Sequence, residues 1–145
     1  MRTASRGLSK LLGGEYLGMI LFGSWARGEA RQDSDVDVFG LLRSMEGLAA
    51  RSKIYEAIGK RLRRAVTLID MRLEEIQGED LELNPLLINL IADGLIIKDT
   101  CRILETFIRE GRKLIEEMNL TRYRTFDGKY GWRRRDMKPI IQVDL

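Results

Sequence analysis

Two groups of residues in the first third of the chain have the types and spacing for phosphate and metal chemistry. Gly23-Ser24 follows an apolar run, and Asp35-Val36-Asp37 opens a second apolar run after a ten-residue spacer. Alternate residues of a strand point to one face, so Asp35 and Asp37 are predicted to project together beside the turn. Two adjacent carboxylates repel unless a cation bridges them, and Mg²⁺ binds through one or two carboxylates plus substrate phosphates. The pattern therefore predicts a magnesium and phosphate site, in which Gly23 permits close backbone approach and Ser24 offers a hydroxyl.

The fuller motif around these residues is more specific than either group alone. It reads Leu21-Phe22-Gly23-Ser24-x-Ala26-Arg27-Gly28, followed by Asp33-Ser34-Asp35-x-Asp37. This motif resembles that of the DNA polymerase β-like nucleotidyltransferase superfamily and, within it, the minimal nucleotidyltransferases. The resemblance covers roughly Leu8 to Met118. It implies an α/β fold with a small mixed β-sheet and helices packed mainly on one face.

The resemblance also implies roles for individual residues. Asp35 and Asp37 would be the catalytic carboxylates that hold two Mg²⁺ ions, while Gly23 and Ser24 would bind the phosphates of ATP or another NTP. Arg27 would either contact phosphate or structure the turn, and both alternatives stay open. The implied reaction transfers a nucleoside monophosphate, AMP in the first place, to an acceptor. Many minimal nucleotidyltransferases are antitoxins that adenylylate a tyrosine on a HEPN-domain ribonuclease, which implies a protein partner of that kind.

A third carboxylate of the superfamily is missing from its usual context. Superfamily enzymes carry it on a later strand, where it helps bind metal and takes the proton from the attacking hydroxyl. The matching run here is Val66-Thr67-Leu68-Ile69, so Thr67 stands in its place. Asp70 lies three residues on, and regular pleating turns it to the opposite face unless a bulge or a frayed end intervenes. Two alternatives follow: a working nucleotidyltransferase, or a weak or inactive nucleotidyltransferase-fold module that masks a partner protein.

Composition limits the remaining classes of function. The 145 residues suit one domain with a real core, and the charge is mixed. The absence of histidine excludes a Ser-His-Asp triad and histidine-based zinc sites, and a single cysteine excludes an intramolecular disulfide. Cys101, within an apolar helical pattern, is predicted to be a core residue. We expect no membrane span and a cytoplasmic location, since no apolar run approaches about twenty residues and no signal peptide is visible.

Apolar periodicity and turn residues predict the elements that must position the motif. Strands are predicted at Tyr16–Phe22, Val36–Leu42, Ala65–Met71 and Leu95–Lys98. Helices are predicted at Thr3–Leu12, Met45–Arg64 and Leu86–Ala92, with a turn or short helix at Leu73–Gln77 and a last helix up to Met118. Asp99 or Thr100 can cap this last helix. Its apolar face needs a partner surface, either the sheet of this domain or another subunit in a homo-oligomer.

A basic and aromatic extension follows the predicted nucleotidyltransferase domain of residues 1–120. Seven basic residues stand against two aspartates between positions 121 and 138, with four aromatic residues interleaved: Tyr123, Phe126, Tyr130 and Trp132. Residues 121–145 are therefore predicted to pack on this domain or on a protein partner or, as the alternative, to bind nucleic acid. We expect the extension to add partner affinity rather than fold stability. Ile141, Val143 and Leu145 are predicted to share one face of an extended end.

Overall fold

The computed structural model describes residues 1–78 and 81–136 of the chain, so the predicted extended end at residues 141–145 lies outside the described residues. The elements in chain order are α1 (Arg2–Leu12), β1 (Tyr16–Phe22), α2 (Gly23–Arg27), β2 (Val36–Leu42), α3 (Leu48–Leu62), β3 (Val66–Arg72), α4 (Leu73–Gln77), α5 (Pro85–Asp93), β4 (Leu95–Asp99), α6 (Ile103–Glu117), β5 (Leu120–Arg124) and β6 (Tyr130–Arg134). A 3₁₀ turn, Gly13–Glu15, joins α1 to β1. No helix in these ranges is long and apolar enough to cross a membrane.

Four strands form one mixed sheet in the order β3-β2-β1-β4. Strand β1 runs antiparallel to both β2 and β4, whereas β2 and β3 are parallel. Because β1 and β2 are antiparallel neighbours, the end of β1 lies beside the start of β2, and Phe22 pairs with Asp37. The mixed α/β fold is thus confirmed, and its topology brings the Gly-Ser turn to the predicted carboxylates.

Helices cover both faces of this sheet. Strand β2 alternates Val38 and Leu42 on one face with Phe39 and Leu41 on the other, and all four are fully buried. The first face packs against α1 and α3, and the second against α5 and α6. The expectation of helices mainly on one face is therefore wrong in this respect, because a central strand that is apolar on both faces needs cover on both.

The start of α6 differs from its sequence pattern. Cys101 is exposed in the turn before the helix, with a φ of 55°, so its prediction as a core residue is wrong. The helix begins two residues later, at Ile103, and the Asp99 carboxylate accepts the backbone N–H of Leu104 at 2.8 Å. From there the apolar face packs within this domain, with Leu104 and Ile108 buried, as the first of the two alternatives predicted.

The basic and aromatic extension folds as a β-hairpin in its described part. Strands β5 and β6 are antiparallel, with Arg122 opposite Trp132 and Arg124 opposite Tyr130. Trp132 packs against the apolar cluster of α5 and α6, and Leu120 at the base of the hairpin is buried. For residues 121–136 this packing is the one that the same-domain alternative predicts. The Trp132 ring covers apolar side chains of this chain, and burying an aromatic ring stabilises the fold.

Candidate functional site

One cleft gathers most of the predicted site residues. It has a volume of about 780 Å³ and lies between the end of β1, α2, the start of β2, α5 and the β5–β6 loop. Gly23, Ser24, Arg27 and Asp37 all line it. Asp35 lines a neighbouring recess, which shares Ser34 with the cleft. These residues come together because the connection between β1 and β2 is short. Strand β1 ends in the helical turn α2, and the loop after α2 returns the chain to the adjacent strand β2.

Gly23 and Asp37 fit together at the centre of the cleft. The Gly23 backbone has a φ of 72°, which a residue with a side chain adopts only with strain. A Cβ at this position would collide with Oδ2 of Asp37. Glycine is therefore required here twice, once for the backbone angle and once to leave room for the carboxylate.

The surroundings of Asp37 disfavour the charged form of its carboxylate. Burial raises the pKa of Asp37 above its usual value, and the nearby charge of Asp35 raises it further, against a smaller lowering by Arg27. Within the described ranges, no cluster of three or more His, Cys, Asp or Glu side chains could hold a metal. A two-carboxylate donor set fits a hard divalent cation such as Mg²⁺, whose other positions go to phosphate and water. Asp35 and Asp37 are the residues that would hold it.

The candidates for the third position lie on opposite faces of the sheet. The β2–β3 register is regular, and it sets Thr67 directly beside Asp37. Asp70 faces α3 instead, where its carboxylate contacts Arg51 at 3.0 Å and also pairs with Arg72. The structure therefore brings Thr67 to the site and leaves Asp70 away from it, because β3 has no bulge to turn Asp70 around.

Arg27 joins α2 to other parts of the fold. Its Nη1 donates to Oδ2 of Asp93 at 2.8 Å, and its Nε donates to Glu29 at 3.4 Å. Its guanidinium also lies over the Tyr130 ring, 4.7 Å from the centroid. These contacts are the ones expected if Arg27 structures the turn. The phosphate alternative remains compatible with its place in the wall of the cleft.

Sequence reasoning missed the opposite wall of the cleft. Arg124, Lys129 and Tyr130 of the hairpin line it, and they face Glu29, which lies after α2 on the motif side. The Tyr130 hydroxyl lies 3.0 Å from both carboxylate oxygens of Glu29, to which it donates. These two residues are 101 positions apart, so no local pattern could have predicted their contact.

The chain is similar to known proteins in sequence and in fold. The sequence model of the family described as nucleotidyltransferase domain matches residues 1–115. The comparison with curated proteins gives no match. Among solved structures, the chain resembles a toxin–antitoxin crystallised with AMP-PNP, at 18% identity and a TM-score of 0.58, over 81% of this chain and 89% of that one.

Two further solved structures show the same likeness. An MntA–HepT toxin–antitoxin matches at 15% identity and a TM-score of 0.51, over 82% of this chain and 90% of that one. A tri-AMPylated Shewanella oneidensis HEPN toxin in complex with an MNT antitoxin matches at 18% identity and a TM-score of 0.50, again over 82% and 90%. These likenesses concern the fold, and the family match spans most of the sequence. The chain therefore belongs to the nucleotidyltransferase domain family.

Proposed function

We propose that this chain is a Mg²⁺-dependent nucleotidyltransferase that moves AMP from ATP to a protein acceptor. The observation that carries the proposal is the meeting of the Gly23-Ser24 turn with Asp37 at one end of the sheet, with Asp35 close enough to raise the pKa of Asp37. A cleft of about 780 Å³ has the size expected of a small-molecule site. The family match and the relative crystallised with AMP-PNP support the same conclusion.

Each residue has a defined task in this proposal. The Ser24 hydroxyl and the backbone at Gly23 bind the terminal phosphates, and Asp35 and Asp37 hold Mg²⁺. When bound, the metal neutralises the charge that develops on the leaving pyrophosphate. Phosphoryl transfer depends mainly on positioning and charge. Asp37 is suited to this task because a paired strand and the contact with Gly23 hold its carboxylate in place.

The proposed acceptor is a HEPN-type toxin, for which the chain would act as antitoxin. This part of the proposal is supported by relatives described as toxin–antitoxin complexes, one of them with a tri-AMPylated HEPN toxin. A second candidate function is a nucleotidyltransferase-fold module that binds and masks such a partner with little or no turnover. The specific observation in its favour is Thr67, which has no carboxylate to take the acceptor's proton, while Asp70 is engaged elsewhere.

Calorimetric titration of Mg-ATP into purified protein tests the site. We expect Asp35→Asn and Asp37→Asn each to abolish Mg²⁺-dependent binding, with thermal stability equal to or slightly above wild type, because like-charge repulsion is relieved. Glu56→Gln is the control, since Glu56 is an exposed carboxylate of α3 that lines neither the cleft nor the recess of Asp35. Unchanged affinity in both Asp35→Asn and Asp37→Asn would overturn the site.

Transfer itself separates the two candidate functions. Radiolabelled AMP is followed from ATP to a HEPN-domain protein co-expressed with this chain. Label on the partner that depends on Mg²⁺ and on Asp37 identifies an enzyme. A stable complex that binds Mg-ATP without labelling the partner identifies a binding module instead.

A further inference from the structure

The β5–β6 hairpin has two chemically different faces. We call the set Arg122, Arg124, Tyr130 and Trp132 the inner face, because alternate residues of the paired strands share one side. The opposite side carries Tyr123, with the Arg133 guanidinium over its ring at 5.4 Å. The inner face contacts the nucleotidyltransferase domain through Arg122, Tyr130 and Trp132.

The inner face is anchored firmly on α5. Arg122 donates to both carboxylate oxygens of Asp93, at 2.7 and 3.1 Å, and also to Asn89 at 3.2 Å. The indole Nε1 of Trp132 donates to the same Asn89 oxygen at 2.7 Å. The Asp93 side chain is only 5% exposed, so this is a charge pair shielded from water. The hairpin is therefore a fixed wall of the cleft.

Tyr130 connects this wall to the Gly-Ser motif. Three guanidinium groups surround its ring, those of Arg27, Arg122 and Arg124, with centroid distances of 4.7, 5.1 and 5.4 Å. Its hydroxyl donates to Glu29 at the other end of the ring. Cation–ring contacts and a hydrogen bond to a carboxylate together hold the ring in one orientation. Arg124 is thereby held beside the Tyr130 ring in the wall of the cleft.

The charges that line the cleft indicate which kind of ligand the hairpin cations face. The motif side of the cleft is negative at Asp37 and Glu29. Of its two arginines, Arg27 is already paired with Asp93 and Glu29, which leaves Arg31 as its other cation. A nucleoside triphosphate is itself a polyanion, so its binding needs positive charge from elsewhere. Arg124 and Lys129 stand on the opposite wall with exposed side chains. The Lys129 ammonium is 83% exposed and lies 4.0 Å from Asp127.

We propose that Arg124 and Lys129 bind the polyphosphate of the nucleotide, so that the hairpin completes the nucleotide site. The inference rests on the proposed function, since it assigns further residues to the same site. It goes beyond the family match, which ends at residue 115 and does not reach the hairpin. The Gly23-Ser24 turn and the hairpin loop then hold the nucleotide from two sides.

Paired charge variants test this directly. We compare Arg124→Gln/Lys129→Gln with Arg109→Gln/Arg133→Gln, which removes the same charge from exposed positions outside the cleft. Calorimetry measures the affinity for Mg-ATP and for AMP. In the first variant we expect Mg-ATP binding to weaken about tenfold or more and AMP binding to weaken less, because AMP has fewer phosphates for the cations to bind. The control is expected to bind Mg-ATP within twofold of wild type.

The outcomes separate this inference from the function on which it rests. If Arg124→Gln/Lys129→Gln binds Mg-ATP like wild type while Asp37→Asn loses binding, the hairpin inference is overturned and the proposed function stands. An equal loss of affinity in the control variant also overturns it, since the loss then comes from the lower net charge of the protein and not from these two positions. A wild-type chain that binds no Mg-ATP overturns both. Lys129→Gln alone, at a highly exposed position, keeps the test valid if the double variant does not fold.

Discussion

Thr67 lies directly beside Asp37 across the parallel β2–β3 pair, with the two side chains on the same face of the sheet. A threonine hydroxyl is no base at neutral pH, so the position lacks the group that would accept a proton. We expect Thr67→Asp to raise the rate of AMP transfer roughly 10²-fold or more. The same variant should lower the metal-free stability by about 1 kcal/mol through like-charge repulsion and regain it with Mg²⁺.

Asp70→Asn is the companion variant for this prediction. Asp70 is held by Arg51 and Arg72 on the opposite face, so its removal should leave AMP transfer unchanged while lowering the free energy of unfolding. Both quantities are measured on the same preparation, by labelled transfer and by chemical denaturation. Loss of transfer in Asp70→Asn, with no gain in Thr67→Asp, would reverse the assignment of the two residues.

Gly23→Ala and Gly28→Ala form a matched pair. Both glycines have positive φ, 72° and 73°, so each substitution should cost about 1 kcal/mol of backbone strain. Only at Gly23 would the new Cβ collide with the Asp37 carboxylate, since a Cβ at Gly28 meets nothing within 4 Å. We expect both variants to melt a few degrees lower and only Gly23→Ala to lose Mg-ATP binding. Equal affinities in the two variants would contradict this account of Gly23.

Asp93 connects α2 to the hairpin through two arginines. Its carboxylate accepts from Arg27 and from Arg122, and its side chain is 5% exposed. Asp93→Asn leaves both guanidinium groups with weaker acceptors, and we expect the free energy of unfolding to fall by about 2–3 kcal/mol. Glu105→Gln, in an exposed pair with Arg102, is the control and should cost less than about 0.5 kcal/mol. Urea denaturation compares them, and equal costs would refute the role of Asp93.

The burial of Tyr16 leads us to expect a loss of stability at high pH. Burial raises the pKa of Tyr16 to about 12, against a smaller lowering by the hydrogen bond with Ser5. Because the folded pKa lies above the ordinary value of 10.0, the neutral phenol stabilises the fold fully below pH 10. This contribution is lost as the pH rises toward 12. Between pH 9 and pH 11, Tyr16→Phe should lose about 1 kcal/mol less than wild type. Urea denaturation at the two pH values measures the free energy of unfolding of each protein. An equal change in both proteins would contradict the prediction.

Local patterns in the sequence were enough for the elements that carry the motif. The bounds of β1 and β2 follow from apolar runs broken by glycine and polar residues, and the structure has them at Tyr16–Phe22 and Val36–Leu42 as predicted. The pleat of a strand also predicts that Asp35 and Asp37 share one side, whereas β2 begins at Val36 and Asp35 lines the neighbouring recess. These features depend on neighbours along the chain, which is why they can be read without the fold.

Only the tertiary structure decided what faces Asp37. The neighbour of β2, and the register of that pairing, place Thr67 at the site and turn Asp70 away. Both faces of the sheet are covered because helices distant in sequence return to it. The sequence does contain one unused signal, the Asp127-Gly128 pair, which is typical of hairpin loops, and Gly128 has a φ of 85°.

That signal alone could predict a hairpin but not its position. The hairpin lies over the cleft because Arg122 finds a buried carboxylate on α5 and Tyr130 finds Glu29, 101 residues earlier. Charge and aromatic content indicate only that such side chains need partners, whereas the partners themselves are set by packing across the whole domain. The sequence by itself thus determined which donor groups the Gly-Ser and Asp-x-Asp motif offers, and the tertiary structure decided which residues surround it.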